Sequence, residues 1–138
     1  MTVITTKLQL TTRGNNDIID ITGRVGDEVA KSGVSSGTAV IFVMGSTGGI
    51  TTMEYEPGQI TDMQNMVDRL VPRKGNYEHN LTWGDGNAHS HLRASLIGPS
   101  LTVPIVDGEL TLGTWQQIVF IDFDVRPRTR ELILQITS

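Results

Sequence analysis

The chain has 138 residues, a formal charge of −4 and no cysteine. That length fits one domain with a real core, and the missing thiols exclude disulfides, thiolate nucleophiles and zinc–thiolate centres. Charged residues make up only 19% of it and form no long run of either sign, which excludes a nucleic-acid-binding arm and a membrane-surface patch. Thr, Ser, Asn and Gln carry much of the polarity, as in a β-rich protein. Met1 to Lys7 hold no apolar signal core, and no apolar run approaches the length of a membrane span. A soluble, cytoplasmic protein is the expectation.

Residues 3–10 alternate and are rich in β-branched types, so they predict a strand. Arg13 to Asp17 is a turn. Residues 18–21 are a second short strand or the lead into a helix. Thr22 is the expected N-cap of a helix over 22–32, with Val25, Val29 and Ala30 on one face and Gly33 closing it. Gly37 to Met44 is an apolar, β-branched run, a buried strand whose expected neighbour is Thr51 to Tyr55. Residues 59–71 place Ile60, Met63, Met66, Val67 and Leu70 at helical spacing before Pro72. A polar, glycine-rich loop follows, then a short helix over 89–97 stopped by Gly98 and Pro99.

Leu101 to Ile105 is a strand in which Pro104 implies an edge or a bulge. Asp107 and Gly108 signal a hairpin turn. Strands are expected over 109–112, 117–124 and 130–136, the last two as an antiparallel hairpin. The sum is seven to nine strands and two or three helices. No repeat, linker or low-complexity tract interrupts it. The fold class is α+β and β-rich, with antiparallel, sandwich-like sheets in a single domain over 1–138.

All three histidines lie between Asn76 and His91, interleaved with Glu78, Asn80, Asp85 and Asn87. Imidazole titrates near neutrality and ligates borderline metals, so this segment is the first candidate for chemistry. The alternative is a hydrogen-bonded surface loop. On a helix His89 and His91 point about 200° apart, so a metal site using both needs strand or loop geometry. Arg93 either holds a phosphate or carboxylate or is solvated.

Gly45 to Gly49 either presents backbone N–H groups with the Ser46 and Thr47 hydroxyls to an anion, or makes a tight turn. It lacks the Gly-Lys-Ser/Thr of a P-loop. Trp115 and Gln116 form either a pocket wall and floor or a core or subunit contact. Arg126, Arg128 and Arg130 suit phosphate or are simply solvated. No serine–histidine–acid order, nicotinamide fingerprint or catalytic carboxylate pair is present.

The run from Asn87 to Ile105, followed by Gly108-Glu109-Leu110, Leu112 to Gln116 and Arg126-Pro127-Arg128, resembles the signature of the YjbQ-like family. Members are also called secondary thiamine-phosphate synthase enzymes. The resemblance spans nearly the whole chain and is densest over 76–130. It implies a β-rich, sandwich-like homotrimer whose motif residues gather in a pocket near the subunit boundaries. The family name implies coupling of a pyrimidine pyrophosphate to a thiazole phosphate.

The family's Tyr-x-His-Asn element falls on Tyr77, His79 and Asn80. Its acidic-glycine-asparagine loop falls on Asp85, Gly86 and Asn87. The histidine of its Ala-His-Leu falls on His91, and its Trp-Gln pair on Trp115 and Gln116. Many relatives carry His-Thr-Ser or His-Thr-Thr after the buried strand, where this chain has Gly45, Ser46 and Thr47. Either His89 substitutes for that histidine or this branch uses no metal at all; Glu54 and Glu56, from the following segment, are candidate acidic partners.

Three readings follow. In the first, an enzyme holds a small phosphorylated substrate among Ser46, Thr47, Asn80, Asn87, Arg93, Trp115, Gln116 and Arg128. His79, His91 and Asp85 then serve as acid-base groups, or His79, His91 and His89 ligate a divalent metal such as zinc or magnesium. In the second, a non-catalytic trimer binds a small anion or metal. In the third, the polar cluster only locks subunits together.

Overall fold

The computed structural model describes residues 1–138. In chain order the elements are β1 (Val3–Thr12), β2 (Asp17–Asp20), α1 (Thr22–Ser32), β3 (Ser36–Val43), β4 (Gly48–Met53) and α2 (Pro57–Leu70). They continue with α3 (Glu78–Trp83), α4 (Ala88–Ile97), β5 (Ser100–Val106), β6 (Glu109–Leu110), β7 (Gln117–Asp122) and β8 (Arg128–Thr137). A five-stranded sheet runs β1-β8-β3-β5-β6, and a three-stranded sheet runs β2-β7-β4. Every strand pair is antiparallel. The expected α+β, β-rich, single-domain architecture is what the structure shows, with four helices rather than two or three.

The molecule is layered as large sheet, small sheet, helices. The main core joins Leu8, Leu132, Leu134, Ile136 and Ile41 of the large sheet to Ile50, Ile118 and Phe120 of the small one, with Val25 and Val29 of α1 sealing one end. A second core lies on the other face of the small sheet. There Val119, Ile121 and Phe123 meet Val67 of α2 and Ala94 of α4. The alternation of β7 therefore divides it between two cores, so its sequence reads as one continuous apolar run.

Two expected strand pairings are corrected. Residues 117–124 and 130–136 do not form a hairpin: β7 pairs with β2 and β4, whereas β8 pairs with β1 and β3. The Thr51 to Tyr55 strand is likewise not a neighbour of β3, because β4 pairs with β7 in the other sheet. In both cases successive strands cross from one layer to the other, and each layer supplies half of the main core. Thr22 is not the cap of α1 but its first residue. Asp20 accepts from the Thr22 N–H at 2.9 Å, and the Thr22 hydroxyl accepts from the Ile118 N–H at 2.8 Å, tying the helix to β7. Ala30 is exposed, while Val25 and Val29 are buried as read. Pro104 lies where the two-residue β6 stops covering β5, so the N–H it lacks is not missed.

Candidate functional site

α4 carries the site, and its two sides face different clefts. Asn87 precedes the helix, and Ala88 N–H is taken up by the Asn80 side chain at 3.1 Å. His91 and Leu92 look towards α3, where a pocket of about 270 Å³ is lined by Tyr77, Glu78, His79, Ala88, His91 and Leu92. The His79 and His91 rings meet edge to face, with centroids 4.8 Å apart and planes at 64°. With the Asn87 amide turned so that its nitrogen faces acceptors, it donates to His79 Nε2 at 2.9 Å and to the Asp85 oxygens at 3.0 and 3.2 Å. His79 Nε2 then carries a lone pair, which puts the neutral ring's proton on Nδ1. Asp85 Oδ1 stands 3.6 Å from the same nitrogen.

His89 does not join them. Two positions along a helix turn it to the opposite side of α4, where it is 2% exposed. It lines a second cleft, of about 470 Å³, with Asn15, Asn16, Asp68, Arg73, Lys74 and Arg93. The His79, His91 and His89 ligand set is therefore split. No group of three or more His, Asp or Glu side chains is arranged to hold an ion. Within one chain the donors do not fit zinc, which takes four tetrahedral ligands or three plus water. They fit magnesium no better, since it asks for oxygens. Burial lowers the His89 pKa to about 4, with Arg93 and then Arg73 adding to the effect, so it is neutral at pH 7.

The expected phosphate groups are also dispersed. Arg93 is buried, donating to Val71 O at 3.0 Å and Asn16 Oδ1 at 2.9 Å, with Asp68 Oδ1 at 2.9 Å from its Nη2. Burial pulls its pKa down, and Asp68 opposes that. Thr47 is internal and accepts from Arg130 Nη2 at 2.7 Å. Ser46 lines a separate cleft with Gly45, Ala94 and Ser95. Arg128 is held by Asp124 at 2.6 Å. Trp115 is 73% exposed, and Gln116 braces its loop by accepting from Gly113 N–H at 3.0 Å and donating to Thr52 Oγ1 at 3.3 Å. Neither lines the histidine pocket. Glu56 caps α2, accepting from the Gly58 and Gln59 N–H groups.

The glycines after β3 serve packing. A Cβ on Gly48 would overlap the Phe120 ring at 2.6 Å, and one on Gly49 would meet Ile97 of α4 at 2.8 Å. The reading of this segment as a tight connection between strands is the one the structure supports.

Two features were not read from the sequence. One is the contribution of Asn15, Asn16, Asp68, Arg73 and Lys74 to the His89 cleft. It depends on the turn after β1, where Gly14, Asn15 and Asn16 all take positive φ. A Cβ at Gly14 would collide with the Arg126 carbonyl, so the turn docks against the end of β7. The other is the Arg130–Asp122 pair, bonded through Nε at 2.9 Å and Nη2 at 2.8 Å. Its signal was visible: a carboxylate ending a run of fully apolar residues demands a cation.

The molecule thus belongs to a class of layered α+β proteins with a polar site built around one helix. The chain belongs to the YjbQ-like UPF0047 family, whose model matches residues 6–138. It is 39% identical over 138 residues to a UPF0047 protein of Methanothermobacter thermautotrophicus, covering 100% of this chain and 94% of that one. It is 37% identical to UPF0047 protein YugU of Bacillus subtilis, covering 94% and 96%. Among solved structures it superposes on a YbjQ-like protein of unknown function from Sulfolobus solfataricus with a TM-score of 0.93 at 32% identity, covering 98% and 96%. An uncharacterised YjbQ/UPF0047 protein from Clostridium acetobutylicum gives 0.88 at 39%, covering 96% and 99%. No helix is long and apolar enough to cross a membrane.

Proposed function

We propose that this protein is an enzyme of proton-assisted group transfer on a small phosphorylated molecule, with His79 and His91 as its acid-base pair. The observation that carries the reading is the edge-to-face approach of the two rings at 4.8 Å, beside Asp85. His91 faces the pocket as the group that exchanges a proton with the substrate. His79 packs edge to face against it as the second imidazole of the pocket, with Asp85 beside its Nε2 and Asn87 fixing its tautomer. Tyr77 and Leu92 offer apolar walls to a ring-bearing substrate, which fits the heterocycles that the secondary thiamine-phosphate synthase name implies.

No arginine or lysine lines this pocket. A phosphate bound here needs cations from elsewhere, and a homotrimer with its pocket at a subunit boundary supplies them from a neighbouring copy. Leu81, Trp83, Leu92 and Leu96, on the adjacent helices α3 and α4, are 82%, 73%, 48% and 57% exposed, an apolar surface that an assembly would cover.

The test pairs native mass spectrometry and elemental analysis with turnover of a panel of phosphate and pyrophosphate esters. A trimer whose turnover vanishes in His91→Ala, with assembly intact, bears the proposal out. Dissociation of the trimer by His91→Ala with no turnover in the parent protein overturns it in favour of a purely structural polar cluster. A metal held at one per chain, and lost in His91→Ala, would make the imidazoles ligands instead.

A further inference from the structure

The second cleft holds buried polar groups that the histidine pair does not use. It is lined by Asn15, Asn16, Asp68, Arg73, Lys74, His89 and Arg93, with no hydrophobic residue among them. Three cations face one carboxylate. Arg93 and His89 are 3% and 2% exposed, and each keeps a buried nitrogen without a hydrogen bond: Arg93 Nη2 and His89 Nδ1. Asp68 lies 2.9 Å from that Nη2 but off the hydrogen-bond direction, so the contact is a charge pairing rather than a bond. Ser90 Oγ on the same helix is also without a partner, and leaving buried polar groups unmet is costly. An oxyanion meets several of these needs at once, because it accepts from guanidinium, ammonium and imidazole N–H together.

We propose that the cleft between α2, α4 and the turn after β1 is a binding site for a small multivalent oxyanion of the phosphate or sulfate type, held by Arg93, Arg73, Lys74 and His89. Asn16 is already spoken for: its Oδ1 accepts from Arg93 and its Nδ2 donates to Asp68 at 3.1 Å, which aims the guanidinium. Arg73 is tethered only to Asn15 Oδ1 at 3.1 Å and is free to swing onto the ligand. The site is independent of the His79–His91 pocket, since α4 stands between them.

Binding is coupled to a proton. The groups facing His89 are Arg93 on its own helix, Arg73 and Lys74 beyond α2, Asp68 on α2 and Asp124 beyond β7. Burial first, and then Arg93 and Arg73, keep the imidazole neutral. A bound dianion offsets these cations and favours the imidazolium, so binding takes up a proton.

The experiment is calorimetric titration of the full chain with sulfate, and separately with orthophosphate, at pH 6 and constant ionic strength. One anion per chain is expected. Arg73→Ala weakens binding about tenfold or more, Asp68→Asn tightens it several-fold by removing the competing carboxylate, and His91→Ala leaves it unchanged. In NMR titrations between pH 4 and 7, sulfate raises the midpoint of the His89 imidazole signal and spares His79 and His91. Absence of saturable binding, indifference to both Arg73→Ala and Asp68→Asn, or loss of binding in His91→Ala overturns the proposal. Because Arg73 and Asp68 are surface groups, their variants keep the fold whether or not buried Arg93 can be replaced.

Discussion

Asp122 sits fully buried between the two sheets, and its charge survives there only because three donors meet it. Burial alone would push its pKa up. The Arg130 hydrogen bonds, then the Thr12 hydroxyl and the Asp124 N–H, more than offset that and hold it below the usual carboxylate range. A carboxyl depressed in the folded state stabilises the fold above its unfolded pKa and loses that contribution as pH falls through the folded value. Asp122→Asn strands the Arg130 guanidinium. It is expected to cost about 3–5 kcal/mol, read as a lower urea midpoint at pH 7. His89 works with the opposite charge. Its pKa of about 4 lies below the unfolded value, so the unfolded chain binds the extra proton and stability falls between pH 6.5 and 4. The size is about 3 kcal/mol, at 1.36 kcal/mol per pKa unit. His89→Gln flattens that part of the stability–pH curve, and urea midpoints measured across the window check it. An unchanged slope would show that His89 is not the group titrating there.

At the scale of elements, the local signals were legible and the long-range ones were not. The bounds of α1 follow from Val25 and Val29 at helical spacing and from Gly33, which the structure places at φ 69. α3 escaped because six residues with Leu81 and Trp83 both exposed show no apolar face. The divergence of His89 from His91 followed from helix geometry alone. The proximity of His79 to His91 follows from the short polar connection between α3 and α4. Strand partners were misread, since a period of two says which face is buried but not which sheet is joined. Gly48 belongs at this scale too. Gly48→Ala pushes a methyl group into the Phe120 ring, and the overpacking is expected to cost about 1–3 kcal/mol. Thermal unfolding of the variant measures it. A melting temperature equal to that of the parent would show that β4 and β7 can slide apart without loss.

For the whole molecule, the agreement with relatives extends over essentially the full chain at TM-scores of 0.93 and 0.88, so the layered frame is a family property. The order of the large sheet has a consequence for how the chain is made. β8 is not an edge: it lies between β1 and β3, with Val3 opposite Thr137 and Thr38 opposite that same residue. β1 is an edge strand whose one neighbour is β8, so it has no partner until β8 is available. Loop closure over almost the entire length must therefore precede zippering, which places folding in the millisecond-to-second range typical of non-local β topologies. Nascent chains arrested before residue 128 should remain protease-sensitive, and stopped-flow refolding of the finished chain should show no faster native phase. Protection of a chain halted at that point would mean that the small sheet and its helices form a stable nucleus by themselves.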